Sequence, residues 1–351
     1  MTATSRNSMA PFTLASLALA AWSASAALPQ ARVAAADNGM YCTGTAVTVE
    51  QACRFEVADD FMKASAICIN SAERDEREEC SEEAVAARSE GLRACGQQLA
   101  ARRSVCAEVG EGRYDPEFDE IDFETDFVNP TRKNRWFPLR IGNQWELRGA
   151  GEVVKLEVLN ATKLIDDVRC IVLRDIVTKD GKLVEDTDDW FAVARDGNVW
   201  YCGEEVKDYE TFEGDAPPRP QLVSRDGSFK AGSDGDKAGI IFQGNPRVGQ
   251  VYREEFSIGN AEDLSRVLST NYAYGRNPNL DRLVPATLAQ LLCTGDCVVL
   301  KAYTAREPGA FAYKYYAPGI GVFLDITPAT GKVVQLVSCN VDPRCASLPR
   351  L

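Results

Sequence analysis

The clearest pattern of hydrophobic and polar positions runs from Arg169 to Glu205, where β-branched and aromatic residues are interspersed with charged ones. Two dipeptides, Asp180-Gly181 and Asp196-Gly197, interrupt it. Asp-Gly between such runs is the strongest short-range indication of a two-residue hairpin turn, because both turn positions need a positive φ. The stretch therefore predicts three antiparallel strands at the centre of a β domain.

Short segments of this kind continue to residue 338 and are separated by Gly, Pro and Asp turns. Such spacing is typical of a sandwich or a curved half-barrel. We expect a mainly antiparallel β domain over residues 134–338, with short helices at Ala261–Leu268 and Pro285–Leu292. The additional predicted strands are Val153–Val158, Val251–Ser257, Cys297–Ala305, Ala310–Tyr316, Gly321–Ile326 and Lys332–Val337.

A different pattern precedes the β domain. From Glu50 to Glu108 the chain is rich in Ala, Glu and Arg and contains no proline, which favours helix. Thr48 and Gln51 have the spacing of a capping box at its start, and Gly91 interrupts it. The sequence therefore predicts an α+β fold, in which a disulfide-stapled helical hairpin over residues 27–112 precedes the β domain.

Six cysteines in this region set the expected geometry of the hairpin. In an antiparallel pair of helices, facing positions have a nearly constant sum of residue numbers. Two cysteine pairs meet that condition for a turn near residues 87–89, and the two remaining cysteines most simply bond to each other. The predicted disulfides are Cys68–Cys106, Cys80–Cys95 and Cys42–Cys53.

An acidic segment separates the two predicted parts. Residues 114–127 contain seven acidic residues and no basic one. The spacing and the glycine of an EF-hand calcium loop are missing, and charge blocks of this kind are usually solvated. We interpret residues 113–133 as an acidic linker, against which the basic residues Arg132, Lys133 and Arg135 can fold.

The N-terminal residues 1–26 have the features of a secretory signal peptide. Arg6 supplies a positive charge, residues 11–22 form an apolar run too short to span a bilayer, and Ala24-Ser25-Ala26 resembles a cleavage site. Nothing later in the sequence is apolar enough over a sufficient length to cross a membrane. We therefore expect an exported protein, periplasmic or extracellular, without a transmembrane segment.

An oxidising compartment favours disulfides over metal sites for the twelve cysteines. Cys293 and Cys297 can close one small loop, and Cys339 and Cys345 can close another in a C-terminal tail over residues 339–351. Cross-pairing between the two sets is equally compatible with the sequence. A zinc site is the less favoured interpretation of the same spacings.

Composition narrows the possible functions. The formal net charge of −13 argues against nucleic acid and anionic membranes as partners, since both require a basic face. The chain contains no histidine, which removes Ser-His-Asp and Cys-His catalysis and imidazole metal sites. Any chemistry must come from carboxylates, Tyr, Lys, Arg or Cys.

The two Asp-Gly turns also predict which residues face each other in the three central antiparallel strands. This register places four carboxylates on one face, and their mutual repulsion must be relieved by a cation, a raised pKa, basic neighbours or open water. Calcium is the natural ion for oxygen ligands, and paired carboxylates can alternatively serve as acid and base in hydrolysis. A solvated face balanced by Lys or Arg is the structural alternative. The candidate metal ligands are Asp175, Asp186, Asp188 and Glu205.

The same register also predicts the distance between two further cysteines. Cys170 and Cys202 each lie opposite Phe191, from the two sides of the central strand. Their backbones would then be two strand spacings apart, about 9.6 Å, whereas a disulfide needs Cα atoms within about 7 Å. The prediction is that these two cysteines are not bonded to each other.

Three segments carry a resemblance to a known group of proteins. They are N-x-W-F-P-L-x-x-G-x-x-W (134–145), D-G-N-V-W-Y (196–201) and K-Y-Y-A-P-G-I-G (314–321). The pattern resembles a family of uncharacterised bacterial exported proteins and lipoproteins. That resemblance implies an exported β domain and no assigned activity. The chain departs from the pattern at Cys202, where an aromatic residue is usual, and in lacking a lipid-anchor cysteine.

The expected function is that of an exported, disulfide-rich binding or interaction protein of unknown ligand. A carboxylate-dependent hydrolase, with or without calcium, is the alternative from a different class. A structural module of the cell envelope is the third possibility.

Overall fold

The computed structural model describes residues 39–119 and 122–350. Within them, two long helices stapled by disulfides precede a large antiparallel sheet, which confirms the predicted α+β fold class. The predicted signal peptide, residues 1–26, lies outside the described residues. No helix in the described ranges has an apolar stretch long enough to cross a membrane.

The two helices are α1 (Tyr41–Ile69) and α2 (Arg74–Val109), and they run antiparallel. The turn between them falls at residues 70–73, not near residues 87–89, which lie inside α2. Arg77 closes this turn by donating hydrogen bonds to the carbonyl oxygens of Ser71 and Ala72. Gly91 does not interrupt α2. An added Cβ there would lie 2.8 Å from Val57 Cγ2, so this glycine permits close approach of the helices.

The predicted pairs Cys68–Cys106, Cys80–Cys95 and Cys42–Cys53 are therefore wrong. In each observed pair the residue numbers add up to the same total, as a single hairpin with its turn at residues 70–73 requires. Two cysteines on one helix, three turns apart, are separated by about 16 Å and cannot bond to each other. The observed disulfides of the hairpin are Cys42–Cys106, Cys53–Cys95 and Cys68–Cys80.

Sixteen strands and one short helix, α3 (Ala286–Leu292), follow in the described residues. The strands are β1 (Gln144–Gly149), β2 (Glu152–Ile165), β3 (Val168–Lys179), β4 (Lys182–Val193), β5 (Val199–Glu205), β6 (Asp208–Glu210), β7 (Gln221–Ser224), β8 (Phe229–Lys230), β9 (Lys237–Phe242), β10 (Val251–Arg253), β11 (Glu255–Phe256), β12 (Asp263–Tyr272), β13 (Cys297–Thr304), β14 (Phe311–Ala317), β15 (Gly321–Thr327) and β16 (Lys332–Cys339).

The predicted helix at Ala261–Leu268 is wrong, because most of it belongs to strand β12. Leu264 is buried against helix α2 on one face of the strand, whereas Ser265 and Val267 are buried on the other face. That alternation has the period of a strand. The predicted helix at Pro285–Leu292 corresponds to α3.

The sheet closes on itself into a nearly barrel-shaped body. Strands β10 and β11 are separated in sequence only by Glu254, yet β10 pairs with β12 and β11 pairs with β9. Between these partners the strand order is continuous from β12 through β16 and β1 to β5 and β9. Closure creates an enclosed inner face, and the hydrophobic core extends over both faces of the sheet.

Of the two predicted Asp-Gly turns, only the first has the expected form. Lys179 pairs with Lys182 around Asp180-Gly181, as a two-residue turn requires. A β-bulge between Val177 and Thr178 then shifts the register by one residue. The second dipeptide lies within a longer connection, residues 194–198, because Val193 pairs with Val199.

The prediction that Cys170 and Cys202 are not bonded is also wrong. They form a disulfide across strand β4, with Cα atoms 6.7 Å apart. Cys202 is the unpaired residue of a bulge between Gly203 and Tyr201, and such a bulge bends the strand. The distance expected for a flat sheet therefore does not apply. The remaining cysteines close the two local loops, Cys293–Cys297 and Cys339–Cys345.

The acidic segment packs along the sheet. Phe123 pairs with Ala194, and its ring contacts Trp200. Glu124 is only 6% exposed, and its carboxylate accepts hydrogen bonds from the backbone N–H groups of Thr125, Asp126, Thr131 and Arg132. Burial opposes ionisation of Glu124, but these hydrogen bonds outweigh it and lower its pKa to about 2.

The three segments that carry the family resemblance meet at one end of the sheet. Asn134 donates to the carbonyl oxygen of Gly197 at 2.8 Å, and the Gly319 N–H donates to Arg135 at 2.7 Å. Trp145 Nε1 donates to the carbonyl oxygen of Ile320 at 2.6 Å. These contacts give the motif a packing role in covering that end.

The hairpin disulfides yield a first prediction. Peptide mapping of unreduced protein should recover the three observed pairs. Replacing both Cys53 and Cys95 by serine should reduce the free energy of unfolding by about 4 kcal/mol, because that bond closes a separation of 42 residues. The same change at Cys68 and Cys80, separated by 12 residues, should reduce it by about 3 kcal/mol. A peptide joining Cys68 to Cys106 would contradict this structure.

Glu124 yields a second prediction. Glu124→Gln should lower the free energy of unfolding at pH 7 by roughly 1–3 kcal/mol, since a buried hydrogen-bonded charge is lost. Because its pKa is lowered in the folded protein, ionised Glu124 stabilises the fold above about pH 4.5, and this stabilisation is lost as the pH falls toward 2. The difference in free energy of unfolding between wild type and variant, measured by denaturant titration, should therefore decrease as the pH falls. Glu117→Gln, at an exposed position of the same segment, is the control and should change stability by less than about 0.5 kcal/mol.

Candidate functional site

The inner face of the closed sheet has an apolar part and a charged part. Aromatic rings fill the apolar part. Phe137 lies 5.3 Å from Phe191, which stacks at 4.8 Å on Tyr201, and Phe242 lies 4.7 Å from Tyr316. The charged part adjoins Tyr201 and Tyr316 and is the candidate site.

Eight carboxyl groups, here named the interior acid cluster, make up the charged part. Six strands contribute seven of them, and Glu254 lies between β10 and β11, where the sheet closes. Glu254 is 3% exposed, and the others are half-buried. The members are Asp175, Glu185, Asp189, Glu204, Glu254, Glu255, Asp263 and Asp325.

Strand pairing explains why these side chains converge. Directly opposed residues of adjacent antiparallel strands point to the same face. Asp189 of β4 opposes Glu204 of β5, and Lys314 of β14 opposes Asp325 of β15. Closure of the sheet then brings the two sets of strands toward each other across the interior.

Lys314 is the base that interacts with the cluster from within. Burial disfavours its ammonium group, but interactions with Tyr316, Glu254, Asp325 and Asp263 outweigh that cost and raise its pKa. Among the described residues it forms no direct hydrogen bond or ion pair with these acids and acts on them at longer range. Arg306 also lowers the pKa of Asp263, and Lys332 lowers that of Asp325, so the acids still outnumber the bases that act on them.

Burial raises the pKa of the acids, and neighbouring carboxylates raise it further. The pKa of Asp189 is raised to about 7 and that of Glu254 to about 7, while that of Glu204 is raised to about 9. Tyr201 donates a hydrogen bond to Asp189, which partly offsets the effect of burial there. The pKa is also raised, chiefly by burial, at Asp175, Glu255, Asp263 and Asp325.

Two polar atoms in this region have no hydrogen-bond partner among the described residues. They are Asp175 Oδ1 and the hydroxyl of Tyr252, a side chain only 7% exposed. Tyr252 opposes Ser265, whose hydroxyl donates to Glu254 instead. Buried polar atoms are nearly always hydrogen-bonded, so these two atoms are exceptions that lie beside one charged cluster.

The structure does not bring together the four predicted metal ligands. Because of the bulge in β3 and β4, Asp175 opposes Thr187 rather than Asp186, and it faces the interior. Asp186 lies on the outer face, where Arg174 donates two hydrogen bonds to it at 2.8 and 2.7 Å. The predicted common face is therefore wrong.

The other two predicted ligands also lie on the outer face. Asp188 opposes Glu205, as the register predicted. Glu205 is paired with Arg225 at 2.7 Å and lies 3.8 Å from Lys207. In the described part of the chain no group of three or more Asp, Glu or Cys side chains has an arrangement that would hold a metal ion.

Sequence reasoning missed most of the interior acid cluster. Asp189 and Glu204 are each next to a predicted ligand in the sequence and point to the opposite face of the strand. A one-residue bulge therefore decided which of these neighbouring acids lie in the interior. Asp263 was hidden by the helix predicted over its strand. Lys314 is the first residue of the third resemblance segment, which was the one available indication of a role for it.

Comparison with models of known protein families, with curated protein sequences and with solved structures finds no match. The candidate site therefore rests on its own geometry and chemistry.

The raised pKa values yield a third prediction. In the folded protein these acids bind protons more tightly than in the unfolded chain. Their stabilisation of the fold is therefore fully present below about pH 4 and is lost as the pH rises through 7 to 9. The melting temperature should therefore fall by roughly 4 °C or more between pH 5 and pH 8. Asp189→Asn should reduce the fall.

The matched control is Asp188→Asn, since Asp188 is the next residue on the opposite face. It should change the dependence on pH much less than Asp189→Asn does, because Asp188 is only a minor cause of the raised pKa of Asp189. A melting temperature that is constant or rises over this interval would contradict the assignment of these acids as buried and protonated.

Proposed function

We propose that this chain is an exported, disulfide-bonded binding protein that holds a positively charged organic ligand inside its closed sheet. The observation that carries the proposal is the excess of carboxyl groups around Lys314, together with the unpartnered atoms of Asp175 and Tyr252. The six disulfides and the signal-like N-terminal sequence support export.

An amine or guanidinium ligand complements the chemistry of the interior. Its N–H groups can donate to Asp175 Oδ1 and to the Tyr252 oxygen. The faces of Tyr201 and Phe191 lie beside the charged part, and aromatic faces attract organic cations. A bound cation would also relieve repulsion among the acids and favour their ionised forms.

A metal ion is the less suitable ligand for this cluster. Calcium requires six to eight oxygen ligands at short distance, whereas the described acids show no arrangement of three or more. The calcium role predicted for Asp186, Asp188 and Glu205 remains a separate hypothesis about the outer face.

The proposal gives a fourth prediction, with 1,5-diaminopentane as the probe. Isothermal titration calorimetry at pH 8 should detect binding to the intact, oxidised protein. Affinity should increase with pH between 6 and 8, because Asp189 and Glu254 must lose their protons to pair with the amine. Titrations in buffers of different ionisation enthalpy should accordingly show proton release.

Variants locate the binding. Asp189→Asn and Glu254→Gln should each weaken it at least tenfold, since one charge-assisted hydrogen bond contributes about 1.5–3 kcal/mol. Asp188→Asn should change it less than twofold. Equal weakening by Asp188→Asn and Asp189→Asn would contradict an interior site. A response to calcium and none to the diamine would favour the outer-face hypothesis.

A carboxylate-dependent hydrolase is the second candidate, favoured by one specific observation. Asp189 and Glu204 oppose each other, Tyr201 interacts with both, and their pKa values are about 7 and about 9. An acid that keeps its proton near neutral pH can protonate a leaving group. Turnover of an aryl glycoside that is abolished by both Asp189→Asn and Glu204→Gln would support this candidate over simple binding.

A further inference from the structure

A cavity lies on the outer side of the sheet, where the helical hairpin packs against it. Its volume is about 240 Å³. The walls come from α1, from the C-terminal half of α2 and from the segment that contains β10 to β12, and they are mainly apolar. The apolar lining includes Ala46, Val49, Val105, Phe256, Ile258 and Leu264.

Arg253 of β10 brings a positive charge to this cavity. Its guanidinium carbon lies 5.2 Å from the ring centre of Phe256 and 5.7 Å from that of Tyr114. Its Nη2 atom contacts the Cys42 sulfur at 3.7 Å. Among the described residues no carboxylate forms an ion pair with it. Burial lowers its pKa, and nearby Glu262 offsets this only in part.

Glu262 cannot serve as the direct counter-ion of Arg253 because it is fully engaged elsewhere. Arg102 of α2 donates two hydrogen bonds to its carboxylate, each 2.9 Å long, and the backbone N–H of Gly259 donates a third at 2.7 Å. The side chains of this ion pair are only 7% and 10% exposed. The pair fixes α2 on the sheet and leaves Arg253 as the cation available to a ligand.

The cavity wall combines further positive charge with uncovered apolar surface. Arg113 lines it, with its guanidinium carbon 5.3 Å from the ring centre of Tyr41. Tyr41 is 39% exposed and Ile258 is 47% exposed, although both are large hydrophobic residues. A ligand with an anionic head and an apolar chain complements both features, because its chain would cover this surface.

We propose that this cavity binds an aliphatic carboxylate, with its head group on Arg253 and its chain between the hairpin and the sheet. A carboxylate can accept two parallel hydrogen bonds from a guanidinium, and a mainly apolar site strengthens that contact. The size of the cavity favours a short or medium chain over a long one.

This site is independent of the cation site in the interior. It lies on the other face of the sheet, shares no residue with the interior acid cluster, and takes a ligand of opposite charge. Binding at one site can therefore fail in experiment while binding at the other succeeds.

The fifth prediction uses sodium decanoate below its micelle concentration as the probe. Titration calorimetry on the intact, oxidised protein should show one binding site. Arg253→Gln should weaken binding at least tenfold, whereas Arg103→Gln, an exposed position on α2 outside the cavity, should leave it within twofold. 1-Decanol, which has the same chain and no charge, should bind at least tenfold more weakly than decanoate at pH 7.

A second variant keeps the proposal testable if Arg253→Gln fails to fold, which circular dichroism would reveal. Val49→Trp fills the cavity from α1 and leaves Arg253 in place, and it should abolish decanoate binding. Absence of decanoate binding to the wild-type protein would overturn the proposal. Equal affinity for decanoate and 1-decanol, or unchanged affinity in Val49→Trp, would overturn it as well.

Discussion

Closure of the sheet at Glu254 is the constraint on which the rest of the structure depends. Because β10 and β11 pair with opposite ends of the strand order, one face of every central strand is withdrawn from solvent. Carboxyl groups on that face share a confined volume with one lysine, and burial raises their pKa values. On an open sheet the same acids would be hydrated and of little consequence.

The hairpin contributes in a different way. Its own interior is small, and three disulfides hold its helices together along their length. The buried pair of Arg102 and Glu262 then fixes α2 to the outside of the sheet. This attachment creates a cavity whose lining neither part forms alone, and it places Arg253 there without a carboxylate partner among the described residues.

The molecule thus combines two environments of opposite charge on the two faces of one sheet. The interior is acidic and lined by aromatic rings, and it is complementary to an organic cation. The outer cavity is apolar and positive, and it is complementary to an aliphatic anion. Net charge indicated neither of these, since −13 describes the whole chain and not its local surfaces.

The sequence by itself determined the α+β class, most of the strands and the first hairpin turn, because local alternation and Asp-Gly chemistry act over a few residues. Tertiary structure decided which acids face inward. The hairpin disulfides were within reach of the sequence, because a single constant sum of residue numbers pairs all six of these cysteines and places the turn at residues 70–73. A bulge beside Val177 moves Asp175 to the opposite face from Asp186. Such a bulge reflects how the closed sheet must bend, which no local pattern encodes.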